Sequence, residues 1–411
     1  MLTNLSKEVR QYVLVTGNYW AFTLTDGALR MLVVLHFHLL GYTPLQIALL
    51  FLFYEFFGVV TNLFGGWLGT RWGLNRTMNL GLALQIVALA MLLVPADWLT
   101  VIWVMVAQAL SGIAKDLNKM SAKSAVKLLV GDDQQTRLYR WVAVLTGSKN
   151  TLKGAGFFLG GFLLTVFGFR NAVLLMVSVL SLVWLFSIVF LKQDLGRSKN
   201  KPKFVDIFSK NHSINWLSAA RLFLFAARDV WFVVALPVFL SSRLGWGHWQ
   251  VGGFLATWVI VYGFVQVIAP KLTGLEGNSK GKGASSWALA LSFIPVGIVF
   301  AMQQASELAV HPWLQGQSLH HVLALILLIG LVFFGFLFAI NSALHSYLII
   351  KFANTDSVSM DVGFYYMANA SGRLLGTVLS GWVFQVYGFE ACLLVSSLFI
   401  MISAVLVRSI D

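Results

Sequence analysis

Cysteine is almost missing from this 411-residue chain, with Cys392 alone present. A single thiol excludes a disulfide within the chain and any thiolate-held metal cluster. Charge is also scarce, at 11% of residues. Soluble globular domains carry about 25%, so that class is excluded. Acids are the scarcest of all, 16 Asp and Glu against 29 Lys and Arg, for a net charge of +13. That excess would point to nucleic acid if a basic, aromatic-interleaved polar segment existed, and none does. No Ser/His/Asp set, phosphate-cradling glycine loop or metal-ligand cluster is evident, so no enzymatic activity, cofactor or metal is expected. The opening MLTNLSKEVRQ lacks a cleavable signal pattern, so the first apolar run reads as a retained span.

Apolar residues are plentiful instead, at 58% of the chain with mean hydropathy +0.79. A bilayer crossing needs about 20 such residues. Runs bounded by Gly, Pro or charge predict spans near 12–39, 45–69, 76–95, 98–120, 141–167 and 171–191. A second set falls near 213–240, 249–269, 286–305, 319–350, 362–387 and 389–408. The expected fold is all-α and integral to the membrane: a six-helix half over 1–191, a charged linker over 192–212 and a second half over 213–411. Eighteen Lys and Arg lie in loops on one side and two, Arg170 and Arg243, on the other. By the positive-inside rule both termini are cytoplasmic.

The remaining nine cations fall inside spans: Arg30, Lys115, Lys119, Lys123, Lys149, Lys153, Arg221, Arg228 and Arg373. Each costs about 2.5–3.5 kcal/mol at a helix centre on the insertion scale. Lipid cannot solvate them, so they face a protein-lined cavity, and an excess of positive charge there suits an anion. Near the midplane, Arg30, Lys149, Lys153, Arg228 and Arg373 outnumber Asp26, Glu55 and Asp229. An elongated ligand charged at both ends would balance them, with Arg30/Arg228 and Lys149/Lys153/Arg373 as two basic clusters.

Individual positions carry competing readings. Asp26 and Arg30 share a helix face, either as an internal ion pair or as a proton carrier beside a substrate-binding arginine. Arg228 and Asp229 are adjacent, point about 100° apart, and need not pair. Glu55 and Asp229 are further proton-coupling candidates, and Glu55 is equally a counter-ion. Lys115 is a binding candidate, whereas Lys123 and Lys127 read as snorkelling anchors at the end of span 4. Asn341 and His345 either bind substrate or pin helices. His36 and His38 lack a carboxylate at metal-ligand spacing and read as interfacial.

The halves resemble each other: NTLKGAGFFLGGFLLTVFGF (150–169) aligns with ASGRLLGTVLSGWVFQVYGF (370–389) at an offset of 220, pairing Lys153 with Arg373. GYTPLQ after span 1 likewise resembles GWGHWQ after span 7. Parallel six-span repeats place a substrate site at the interface of the halves. The loop GWLGTRWGLNR (66–76) is similar to the major facilitator signature, with Thr70 where an Asp is expected. Gly147, Gly156 and Gly160 match the antiporter glycine spacing, with Gly161 in place of its proline.

More specifically, TLTDGALRMLVVLHFHLLGY (23–42), YEFFGVVTNLFGGWLG (54–69), QALSGIAKDLNKMSAKSAVKLLV (108–130), LTGSKNTLKGAGFFLGG (145–161) and SAARLFLFAARDVWFVVALPVFL (218–240) resemble the ArsJ-type organoarsenical efflux permeases. That resemblance implies export of 1-arseno-3-phosphoglycerate across a bacterial inner membrane. A glyceraldehyde-3-phosphate dehydrogenase would be the functional partner that makes the substrate. An arginine in each of spans 1 and 7 is also similar to the phosphate clamp of organophosphate antiporters in the same superfamily. With one cysteine, any arsenic would be the pentavalent oxyanion form, since trivalent arsenic favours clustered thiolates. Proton-coupled anion efflux is therefore the leading expectation. An organophosphate, phosphate or carboxylate carrier is the alternative, and a flux-free sensor is a third class.

Overall fold

The computed structural model describes residues 7–41, 50–130, 134–191, 211–246, 248–273, 281–310, 318–355 and 357–410. Residues 192–210 of the expected linker lie outside them, as does most of the GYTPLQ loop. The described chain makes twelve helical crossings. In the first half these are α1 (Lys7–Leu39), α2 (Leu52–Trp72), α3 (Leu74–Ala90), α4 (Val101–Leu129), and α5 and α6 within the run Gln135–Phe190. That run breaks at Gly168, whose φ of 71° and ψ of 173° separate α5 (135–167) from α6 (169–190). The second half holds α7 (His212–Phe232, continued by Ala235–Ser242), α8 (His248–Leu272), α9 (Gly281–Gln303), α10 (Leu319–Phe352), α11 (Val358–Tyr387) and α12 (Phe389–Arg408).

Seven described helices are long and apolar enough to cross a membrane, the double-length α5–α6 run among them. The spans that fall short by composition are α1, α2, α4 and α11. These four carry Asp26, Arg30, Glu55, Asp116 and Arg373. A helix lined with charge survives in a bilayer only where that face is turned to protein or water. The compositional weakness therefore marks the helices around the site.

Two local features follow directly from residue chemistry. Pro237 has no N–H to offer the preceding turn, and α7 breaks at Val234, where φ is −120°. The freed N–H groups of Val234 and Ala235 donate to the Ser380 hydroxyl of α11 at 3.3 and 3.1 Å. Gly388 turns α11 into α12 with φ 86° and ψ −176°, almost the conformation of Gly168. Only glycine takes such a φ without strain.

An even number of crossings puts both chain ends on one face, here the terminal face. Apolar packing joins the halves on that side. One buried cluster unites Tyr19, Met78, Val126 and Leu145 with the C-terminal core around Trp231 and Phe338. A separate cluster (Phe22, Leu32, Val104, Leu163) stays within the outer part of the N-terminal half. Glycine makes the seams. A Cβ on Gly66 (α2) would lie 2.6 Å from the Ser359 carbonyl oxygen of α11, and one on Gly363 2.6 Å from that of Asn62. On the other seam, a Cβ on Gly263 (α8) would lie 2.6 Å from the Gly147 carbonyl oxygen of α5. Tyr347 (α10) closes the same face by donating to Gln135 Oε1 at 3.1 Å. Small residues let backbones approach where lipid supplies no hydrophobic drive between helices.

Candidate substrate site between the halves

A chain of ion pairs crosses the centre of the molecule. Arg30 Nη2 on α1 stands 3.6 Å from Glu55 Oε1 on α2. The same oxygen is 3.2 Å from Arg373 Nη2 on α11, which is the link between halves. Arg373 Nε then reaches Asp229 Oδ2 on α7 at 3.3 Å, and Asp229 Oδ1 holds Arg228 Nη2 at 2.5 Å. The Asp229 side chain is fully buried, whereas those of Arg30, Glu55 and Arg373 are 28%, 31% and 30% exposed. Arg373, expected in the cluster with Lys149 and Lys153, is thus joined through Glu55 and Asp229 to Arg30 and Arg228 of the other. Adjacent Arg228 and Asp229 do pair, because the guanidinium can curl back across the 100° between them.

Asp26 is held by the Tyr54 hydroxyl, which lies 2.8 and 2.9 Å from its two oxygens. Among the described residues it makes no ion pair with Arg30, so the reading of a neutral Asp26–Arg30 unit is corrected. Helix spacing aligned the two side chains, but Glu55 on the neighbouring helix offers Arg30 a closer carboxylate. The Arg30 guanidinium also lies over the rings of Phe51 and Tyr54, at 5.0 and 5.3 Å.

The lysines of α4 and α5 flank this chain. Asp116 binds Lys119 at 2.5 Å and Lys115 at 3.8 Å, and the Lys115 amine sits 3.8 Å above the Tyr54 ring. Lys149 and Lys153 are different. Both are partly exposed, and among the described residues neither has a carboxylate within 4.0 Å. Seven cations (Arg30, Lys115, Lys119, Lys149, Lys153, Arg228, Arg373) meet four carboxylates (Asp26, Glu55, Asp116, Asp229), leaving 7 − 4 = 3 positive charges. A low-dielectric basin with that surplus concentrates anions.

Other expectations resolve differently. Helix α4 runs to Leu129, nine residues past the predicted end at 120. Lys123 is therefore not a snorkelling anchor. It is 3% exposed, donates to Thr146 Oγ1 of α5 at 2.9 Å and also donates to the Tyr366 hydroxyl of α11. Lys127 is likewise buried. Asn341 is buried on α10, donates to the Leu337 carbonyl at 3.1 Å and stands outside the ion-pair chain. His36 stacks on Phe169 with centroids 3.9 Å apart, and the His38 side chain lies outside the described ones. No group of three metal-ligating side chains occurs among the described residues. Tyr54, Thr146 and Tyr366 are site residues that residue-by-residue reading missed. A tyrosine within an i+1 step of a buried acid was the available signal for the first. Away from the site, an apolar groove of about 450 Å³ between α9 and α10, lined by Phe293, Ile298 and Phe333, contains none of these charges.

Twelve spans in two six-helix halves, with a cluster of charged side chains where the halves meet, define a multi-pass membrane transporter. The chain belongs to the major facilitator superfamily, whose sequence model matches residues 13–306. No curated protein matches the chain significantly. Solved structures do resemble it throughout. The human organic anion transporter MFSD10 (TETRAN) superposes with a TM-score of 0.75 at 16% identity, covering 98% of this chain and 100% of that one. The E. coli fucose:proton symporter FucP gives 0.73 at 14%, covering 98% and 99%. A bacterial homologue of the iron transporter ferroportin, in its outward-facing state, gives 0.71 at 14%, covering 97% and 98%. At these identities the likeness is one of fold.

Proposed function

We propose that this transporter exports an anionic organoarsenical, 1-arseno-3-phosphoglycerate, across a bacterial inner membrane by alternating access, coupled to protons. Lys149 and Lys153 carry the anion part of the reading, because they face the basin with no carboxylate of their own. A phosphate or arsenate group bound there would supply the missing charge. Arg30, Arg228 and Arg373 each keep a carboxylate partner and also present forked donors suited to oxyanions. Lys115 would add a third point of attraction, and Asn341 a polar contact.

Coupling follows from competition for the same cations. An anion drawn to Arg30 and Arg373 displaces Glu55, and one drawn to Arg228 displaces Asp229. Asp26, Glu55 and Asp229 are thereby the coupling candidates. Substrate binding at the Glu55–Arg373 link would loosen a bridge between the halves. The identity of the anion comes from the resemblance carried together by segments 23–42, 54–69, 108–130, 145–161 and 218–240, with a glyceraldehyde-3-phosphate dehydrogenase as the supplier. The charge pattern alone fits an organophosphate, phosphate or carboxylate carrier equally.

Everted vesicles decide between them. Arsenate, 3-phosphoglycerate, and arsenate with the dehydrogenase and its substrates are offered separately, with and without a proton gradient. Gradient-dependent accumulation only with the dehydrogenase product is expected. Accumulation of arsenate alone, or of phosphoglycerate alone, would transfer the site to the alternative class.

A further inference from the structure

A second polar cluster lies in the C-terminal half, nearer the terminal face than the ion-pair chain. Arg221 of α7 is 3% exposed and has no carboxylate within 4.0 Å among the described residues. Its Nε donates to Asn369 Oδ1 at 2.8 Å and its Nη1 to the Ser342 carbonyl at 3.3 Å, both neutral acceptors. The guanidinium lies 3.9 Å above the Phe225 ring and 5.4 Å from that of Tyr365. A permanently charged group is therefore buried with only dipoles and ring faces to balance it.

The groups around it are also unsatisfied. Both ring nitrogens of His345 are buried and have no hydrogen-bond partner, and the buried Ser342, Ser346 and Tyr365 hydroxyls beside it make no well-formed hydrogen bond, with Ser346 near the Tyr365 and Tyr366 hydroxyls and Ser342 near that of Tyr262. His345, Tyr365 and Tyr366 all feel the Arg221 charge. Each orphaned polar group costs about 1–3 kcal/mol, so a cluster of them on two helices around a cation of a third needs a reason. A tetrahedral oxyanion supplies one negative end and several acceptors, which is the complement of a guanidinium ringed by hydroxyls and an imidazole.

We infer that Arg221, Ser342, His345, Ser346 and Tyr365 form an inner oxyanion site, taking one charged end of the substrate when the halves part on the terminal face. This rests on the anion-carrier reading above. Lys123 connects the two sites. Its amine is held by Thr146 of α5 on one side and by Tyr366 of α11 on the other. In the present state its amine is tied across the seam to Tyr366. Separation of α4 from α11 breaks that tie, leaves the amine on Thr146 of its own half, and opens a basic path from Arg221 past Lys123 to Lys149. An anion arriving from the terminal face meets the inner site first and the central basin second.

The inner site makes a face-specific prediction. Uptake of the dehydrogenase-generated arsenate ester is measured in everted and right-side-out vesicles, with 3-phosphoglycerate as the competing anion. Arg221→Gln is expected to raise KM at the terminal face about tenfold, the equivalent of one charge-assisted hydrogen bond, and to leave KM at the opposite face unchanged. Arg221→Lys should recover part of the loss. Tyr365→Phe and Ser346→Ala keep the fold and each remove one donor, so they test the site even if Arg221→Gln fails to assemble. Unchanged terminal-face KM in both of these, or equal shifts on both faces, would overturn the inner site and assign its polar groups to bound water. A wild-type protein that moves no anion from either face would instead remove the anion-carrier reading itself.

Discussion

Lys153 and Arg373 occupy the same position in the two repeats, yet their surroundings differ in one respect that matters. The backbone frame is common to both. A Cβ on Gly156, three residues after Lys153, would lie 2.7 Å from the Leu24 carbonyl oxygen of α1. One on Gly376, three after Arg373, would lie 2.7 Å from the Ala226 carbonyl oxygen of α7. The partner helices then diverge. Gly376 faces Asp229, whereas Gly156 faces Gly27. Span 7 thus offers a carboxylate where span 1 offers a hydrogen atom. Arg373 is neutralised by its own half and by Glu55 of the other, and Lys153 by neither. Repetition built the scaffold, and the unpaired charge arises where the repeat fails.

The largest test of that contrast is Asp229→Asn. It leaves Arg228 and Arg373 without the buried carboxylate they share, and breaking such a pair costs about 3–5 kcal/mol. A sharp fall in the melting temperature of the detergent-solubilised protein is expected, and an unchanged melt would show that the pair is not structural. Next comes the common frame. Gly156→Val drives a branched side chain into the α1 backbone, at a cost of about 1–3 kcal/mol for overpacking. Gly161→Ala, whose Cβ would meet only Leu35 at 3.7 Å, should melt like the parent. Equal effects of the two would refute the close crossing of α1 and α5. The smallest effect on stability belongs to Lys153→Ala. It removes an unneutralised charge, so the fold should hold or gain slightly, while anion flux in vesicles falls at least about tenfold, or 1.4 kcal/mol. A variant that transports normally would end the role given to Lys153.

Much of the fold was legible because its signals are local. Span lengths, the 220-residue repeat and the glycine pair 168/388 follow from runs and spacings of a few residues. The nine cations within spans were equally visible, since each contradicts its own apolar neighbourhood. Partnership was not. Helix periodicity put Asp26 beside Arg30, but a tyrosine and a glutamate from α2 separated them. Lys123 shared a stripe with Lys127 and read as an anchor, because its partner Tyr366 lies 243 residues away. Nothing in a one-dimensional pattern tells which helix a lysine faces when two six-helix halves are packed together. Arg221 was visible as a cation and unreadable as a cluster for the same reason, its neighbours being on α10 and α11.

Gly168 and Gly388 carry a mechanical consequence. Each folds two spans back on themselves within a single residue, so the joint contains no slack. A tilt of α5 or α11 is imposed on α6 or α12 with no loop to absorb it. The α6 surface, with Leu182, Leu185 and Phe186 exposed along it, is in turn what this half presents to lipid. Any tilt of α5 is therefore passed to the surface this half turns outward, and the lateral pressure of the surrounding lipid becomes a load on that tilt.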